Sequence, residues 1–170
     1  MGNFVTVLET ERLILSQLNK YDASFIFELV NSSSWIKYIG DRKIRTLRHA
    51  ARYIEKNYAK DYTNGIGLFC LRMKRSEIPI GTCGLIDRGT FDYPDIGFAL
   101  LDEYAGRGYV TEAATAILSH AKETLLITKF CGITVDYNTA SIRTLKNLGL
   151  EQKKKIRLEG DDEELLYFEN

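Results

Sequence analysis

The sequence predicts an α/β fold of the α+β kind, a mixed sheet with helices on both faces. Three observations carry this. Helical spacing of apolar residues as far as "YAK" at 58–60 gives way to strand-like runs between Gly65 and Leu101. A glycine-bearing stretch, "DEYAGRGYVTEA" at 102–113, joins the last of those runs to an alanine-rich helical pattern. After it come a strand, a helix and a closing hairpin.

The elements follow in order. "VLETERLILSQL" reads as a first strand with Leu13 and Leu15 on one face. "KYDASFIFELVN" has helical spacing at Phe25, Ile26, Leu29 and Val30, with Asp22 as its cap. "SSSWIKYIG" is a short helix and a loop. "TLRHAARYIEKNYAK" repeats Leu47, Ala50, Ala51, Ile54 and Tyr58 along one helical face behind a Thr46 cap. "GIGLFCLRMK" and "PIGTCGLIDR" form a hairpin through "RSEI", and "YPDIGFALL" is a third strand. A helix runs from about Arg107 to Leu125. "KFCGITVDY" is a strand, and "TASIRTLKNLG" a helix ending at Gly149. The last segment is a hairpin turned at Gly160–Asp161. The order is strand, two helices, three strands, helix, strand, helix, two strands. With no linker, repeat or low-complexity segment, residues 1–170 are expected to form one domain.

Lysine plus arginine equals aspartate plus glutamate at 23 each, so no basic excess points to nucleic acid. No apolar stretch is long enough to span a membrane, and "MGNFVTVLET" lacks the pattern of a secretory signal. Three cysteines at Cys70, Cys83 and Cys131, each in a strand-like run, suit buried free thiols in a reducing, cytoplasmic setting. His49 and His120 have no ligand partner four residues on and read as structural, so no metal is expected.

The stretch at 102–113 places Gly106 and Gly108 where a strand turns into a helix. A helix start carries N–H groups without intrahelical partners and a positive dipole end. Glycine admits close approach of a ligand and positive φ. Such a turn suits a phosphate or diphosphate, with Arg107 adding charge. The plain alternative is a tight corner. The dinucleotide fingerprint fails at Thr111, and no P-loop Gly-Lys pair is present.

Three ordered features resemble the GNAT superfamily of acyl-coenzyme A-dependent N-acetyltransferases, in the branch that includes ribosomal-protein alanine N-acetyltransferases. "ETERLILSQL" resembles its first strand. Ala105-Gly106-Arg107-Gly108-Tyr109-Val110 resembles its coenzyme motif [QR]-x-x-G-x-[GA]. "NTASIRTLKNLGL" resembles its later motif through Asn138, Ser141, Leu145, Leu148, Gly149 and Leu150. Ala105 stands where Gln or Arg is usual, which removes one phosphate contact, and Val110 stands where Gly or Ala is usual. Leu145 occupies the place of the tyrosine that many members use as a general acid.

The resemblance implies a GNAT-like, mostly antiparallel central sheet and acetyl-CoA as cosubstrate, bound by Gly106, Arg107, Gly108, Tyr109 and Val110. The pantetheine arm would lie in a gap between the "DIGFALL" and "KFCGITVDY" strands. Backbone groups near Phe98 and Leu100 would bind it, one N–H polarising the thioester carbonyl, and Asn138 would bond a pantetheine amide. Asp95 is the first candidate base, with Glu103 and Asp136 behind it. Its plain alternative is a strand-end aspartate facing water. Ser141 is the candidate acid, and Tyr104 could donate or simply pack. Ser141 has a capping alternative and Asn138 a turn-forming one. Trp35, Tyr38 and Phe91 fall in segments that shape acceptor pockets in the family, although aromatics there are more often core. "QKKKIR" at 152–157 is a solvated strand face or meets coenzyme phosphates. The expected reaction moves acetyl to a primary amine, a protein N-terminus or a small molecule, in a monomer or homodimer. A noncatalytic acyl-CoA sensor is the alternative.

Overall fold

The computed structural model describes residues 4–59, 62, 65–160 and 162–170. Its strands are β1 (Thr6–Glu9), β2 (Leu13–Ser16), β3 (Gly67–Met73), β4 (Pro79–Ile86), β5 (Asp95–Leu100), β6 (Cys131–Val135), β7 (Glu151–Arg157) and β8 (Glu164–Glu169). Its helices are α1 (Ala23–Val30), α2 (Ser33–Tyr38), α3 (Leu47–Asn57), α4 (Tyr109–Thr124) and α5 (Thr139–Asn147). One sheet runs β1-β2-β3-β4-β5-β6-β8-β7. Every pairing is antiparallel except β5 with β6. The mixed, mostly antiparallel sheet flanked by helices is the expected fold.

The first strand is instead two. Thr10 reverses the chain, its hydroxyl accepting the Leu13 N–H at 3.0 Å and its own N–H bonding the Leu13 carbonyl at 2.9 Å. A polar stretch whose side chain satisfies the backbone favours a turn over a continued strand. Leu13 and Leu15 do share a buried face. Thr46 caps α3, accepting the His49 N–H at 3.1 Å, and Ala50, Ile54 and Tyr58 are buried while Leu47 is exposed. The predicted turn at Gly160–Asp161 falls partly on residue 161, outside the described residues.

Two apolar clusters lie on opposite sides of the sheet. One joins Tyr109, Ala113, Ile117 and Leu118 of α4 and Leu145 of α5 to Leu13, Leu15, Phe69, Leu71 and Ile96. The other joins Phe25, Ile26 and Leu29 of α1, Trp35 of α2 and Ile54 of α3 to Cys70 and Leu101. The period-two alternation of β3 divides Phe69 and Leu71 from Cys70 in this way.

Asp22 does not bond the start of α1 as a cap. Its carboxylate takes the Asn19 N–H at 3.0 Å and pairs with Arg72 of β3 at 2.5 Å, both side chains 7% exposed. Arg72 also donates to Ser16 Oγ at 2.9 Å. The buried guanidinium needs that anion, and this ties the α1 entry to the sheet. Removing one partner of such a pair leaves a buried charge, so Asp22→Ala should cost about 3–5 kcal/mol. Thermal unfolding should show the midpoint lowered by roughly 10 °C.

Candidate active site

The chain leaves β5, makes one 3-10 turn at Asp102–Tyr104, and reaches α4 through Ala105–Gly108. Gly106 and Gly108 take φ of +74° and +80°, the left-handed region that favours glycine. All four residues from Ala105 to Gly108 are exposed. The first intrahelical bond runs from the Glu112 N–H to the Gly108 carbonyl at 3.0 Å. The N–H groups of Tyr109, Val110 and Thr111 therefore point out of the helix start with no intrahelical partner.

A clamp absent from the sequence reading holds this turn. Arg12 Nη1 donates to the Arg107 carbonyl at 3.0 Å, its guanidinium stacks 4.4 Å from the Tyr109 ring centre, and its Nε pairs with Glu112 at 2.6 Å. Glu112 also takes the Arg12 N–H at 2.9 Å and the Thr10 hydroxyl at 2.5 Å. Partial burial works against the Glu112 charge, but the Thr10 and Arg12 donors outweigh it and hold the carboxyl below its usual range. The β1–β2 turn thus fixes the shape of a loop about 100 residues away in sequence. Arg12 and Glu112 lie inside the quoted "ETERLILSQL" and "TEA" runs, but nothing in either run announces that they meet. Arg107 is exposed, 6.0 Å from the half-buried Tyr104 ring.

β5 and β6 part almost at once. Their pairing is recorded at the single position Asp95↔Cys131, with the Cys131 N–H bonding the Pro94 carbonyl at 2.9 Å. On the other edge, the Leu101 N–H bonds Ile80, in register with Thr82↔Ala99 and Gly84↔Gly97. Hydrogen-bonded positions alternate along an antiparallel pair. The odd residues of β5 therefore turn their backbone groups to β4, and Ile96, Phe98 and Leu100 turn theirs toward β6. Phe98 and Leu100 sit where the strands are apart. The structure thus has a wedge, closed at Asp95 and open at the glycine turn. Five residue steps at about 3.3 Å make it roughly 17 Å deep.

Side chains alternate as well. Ile96, Phe98 and Leu100 pack with the α4–α5 cluster, Ala99 and Leu101 with the α1–α3 cluster. Asp95 belongs to the second face. The water-facing alternative is wrong: Asp95 is 1% exposed and forms an ion pair with Arg88, the residue that sequence reasoning overlooked. Burial raises its carboxyl above the usual range, with Arg88 opposing. Cys131 lies beside it, donating to the Tyr93 carbonyl at 3.3 Å.

At the open end of β6, Asn138 Oδ1 accepts the Ser141 N–H at 3.1 Å and caps α5. Ser141 is buried in the first turn of α5, so the capping belongs to Asn138. The Asn138 amide NH₂ remains a donor that can meet a ligand carbonyl. Leu145 is core, packed where a Gly132 Cβ would sit. Glu103 and Asp136 are exposed. Phe91 precedes β5 at the closed end, its ring 5.4 Å from that of Tyr167. "QKKKIR" is the outermost strand, solvated, with Lys153 and Lys155 paired to Glu151 and Glu164. Burial pushes the Cys70 and Cys131 thiols up to about 12, and all three cysteines are free. Among the described residues no acidic, cysteine or histidine cluster could hold a metal, and no helix is long and apolar enough to cross a membrane. A cleft of about 250 Å³ is lined by Phe25 and Glu28 of α1, Pro79 of β4, and Leu101, Glu103 and Tyr104 between β5 and the glycine turn.

Residues 12–151 match the model of the Acetyltransferase (GNAT) domain. The chain belongs to the GNAT acetyltransferase family. GNAT members use acetyl-CoA, and the exposed helix start and unpaired β5 edge fit such a cosubstrate. The chain is similar to the uncharacterized N-acetyltransferase YoaA of Bacillus subtilis (strain 168), 24% identical over 153 residues covering 89% of this chain and 86% of that protein. Its fold is shared with the ribosomal-protein-S5-alanine acetyltransferase from Vibrio fischeri, with a TM-score of 0.71, 16% identity and coverage of 96% and 94%. It is also shared with the Microcin C7 self immunity acetyltransferase MccE, solved in complex with acetyl-CoA and AMP, with a TM-score of 0.79, 16% identity and coverage of 94% and 92%. This GNAT chain is accordingly an acetyltransferase, and nothing in these likenesses favours a noncatalytic sensor.

Proposed function

We propose that the protein moves an acetyl group from acetyl-CoA directly to a primary amine, on a protein N-terminus or a small molecule. The observation that carries this reading is the unpaired edge of β5 beside the exposed α4 start. Together they offer a long, narrow ligand a main-chain ladder and an anion site. Gly106 to Val110 hold the diphosphate on their N–H groups, and Arg107 adds a cation. Phe98 and Leu100 bond the arm as an added strand would, and Asn138 donates to an amide carbonyl of it.

Acetyl-CoA supplies an activated thioester. The Phe98 N–H donates to its carbonyl oxygen, where negative charge develops. Asp95 accepts the proton that the acceptor ammonium must lose, directly or through water. The amine nitrogen bonds the acetyl carbon as the C–S bond breaks. The Ser141 hydroxyl returns a proton to the thiolate. With Leu145 in the core, Ser141 takes the part that a tyrosine plays in other members.

Incubation with acetyl-CoA and a panel of amines should release free thiol in proportion to acetylated product. Tight coenzyme binding with no thiol release on any amine would overturn the reading.

A further inference from the structure

The neutral net charge conceals a segregation. Residues 37–56 hold seven lysines and arginines against Asp41 and Glu55, a net of +5, and the rest of the chain carries the balancing −5. All seven cations are exposed. Three of them, Arg48, Arg52 and Lys56, recur every fourth residue along α3 and form one stripe. The opposite side of the helix, Ala50 and Ile54, is buried. Like charges four residues apart weaken a helix. Among the described residues none of the three has an ion-pair partner, and Glu55 beside them pairs with none of them. A face that only meets water has both signs interspersed.

The basic surface continues into the loop before α3, and that loop is fixed. Arg45 pairs with Asp41, which also accepts the Lys43 N–H at 2.7 Å, and Lys43 holds φ of +56°. Ile44 is buried, and its carbonyl accepts the Asn31 amide at 3.0 Å. Burial raises the Tyr53 hydroxyl with Arg42 opposing, which puts Arg42 beside α3. Exposed Ile39 and Leu47 lie among the cations. α2, which leads into this loop, is tied to residues just beyond β5 and β6. Ser33 Oγ donates to Asp102 at 2.6 Å, and the Tyr38 and Tyr137 rings lie 6.0 Å apart.

Successive cations of the stripe are about 6 Å apart along the helix axis. Carboxylates two residues apart on an extended segment, or four apart on a helix, repeat at about 6–7 Å and match it. The negative charge elsewhere on the chain repels a polyanion long enough to overrun the patch. α3 keeps its apolar side in the core, so Ile39 and Leu47 are too little to anchor it in lipid, but they suit the apolar side chains of a polypeptide.

We propose that the outer face of α3 and the loop before it dock an acidic segment of a partner protein, with carboxylates at this spacing and apolar residues between them.

Fluorescence anisotropy of a labelled peptide of four Glu-Ala repeats tests this on the full chain. The peptide should bind saturably at low salt and weaken as salt rises, and its Gln-Ala counterpart should not bind. Arg48→Glu with Arg52→Glu should weaken the Glu-Ala peptide about tenfold or more, and Arg48→Gln with Arg52→Gln by roughly threefold. Neither double variant should melt below wild type, because each removes the repulsion along α3. Lys153→Glu with Lys155→Glu makes the same change in net charge on β7 and should leave the affinity within about twofold of wild type. Equal losses in the α3 and β7 charge reversals, or no binding of the Glu-Ala peptide, would overturn the docking surface. Tighter binding of an eight-thymidine oligonucleotide, or of vesicles of phosphatidylserine and phosphatidylcholine in equal parts, would overturn the protein partner.

Discussion

Gly108→Asp should abolish acetyl-CoA binding while leaving the fold intact. Gly108 has φ of +80°, where aspartate and asparagine are the best tolerated replacements for glycine. A carboxylate at a helix start also favours the helix dipole, which offsets part of the backbone cost. The same carboxylate would occupy the anion site. A Cβ at Gly108 lies 3.5 Å from Arg12 Nη2, so the new side chain would also draw off that cation. Repulsion, lost N–H donors and a neutralised guanidinium act together, and the affinity should fall roughly 100-fold or more, since each charge-assisted bond is worth several-fold to tenfold. Gly108→Ala carries the backbone strain without the charge and should lose far less. Calorimetry with coenzyme A decides the matter. An affinity for Gly108→Asp within threefold of wild type would remove the diphosphate from this turn.

The turn was legible because its cause is local. Two glycines between a strand-like run and a helical run announce positive φ and free N–H groups without any knowledge of the rest of the chain. Leu13 and Leu15, the Thr46 cap and the buried Cys70, Cys83 and Cys131 were legible for the same reason. What escaped was set by partners distant in sequence. Glu112 reads as an ordinary first-turn helix residue until Thr10 and Arg12 fold onto it. Asp22 has the spacing of a cap, but the buried Arg72 claims its carboxylate. Asp95 at a strand end suggests exposure, and only the β4–β5 connection bringing Arg88 over it makes burial tolerable. No periodicity records a charge pair between segments. Trp35 could be named as an aromatic near an acceptor pocket, but only the packing around it makes it core.

Asp95→Asn should lower turnover sharply and leave the folded state as stable as before, or more so. Burial raises the Asp95 carboxyl in the folded protein above its value in the unfolded chain, although Arg88 opposes the shift. The folded protein therefore binds this proton more tightly than the unfolded chain does. The stabilising contribution is fully present below the unfolded pKa and is lost as pH rises through the folded one. Above that window wild type holds a buried anion at a cost, and asparagine holds a neutral group of the same shape at every pH. Arg88, with its side chain 37% exposed, can turn to water when its partner loses charge. The melting point should thus match wild type in acid and equal or exceed it at neutral pH. Turnover is a different matter, because asparagine cannot take a proton from an ammonium. A positioned general base is worth about 10²–10⁴ in rate, so kcat should drop within that range. The acid limb of the pH profile that Asp95 imposes should vanish with it. A rate within twofold of wild type at every pH would exclude Asp95 as the base. A melting point several degrees lower at neutral pH would instead make the Arg88 pair a structural tie. As the proposed base, Asp95 would have to carry its charge in a setting that disfavours it, so the expected signature of that role is stability and rate moving in opposite directions.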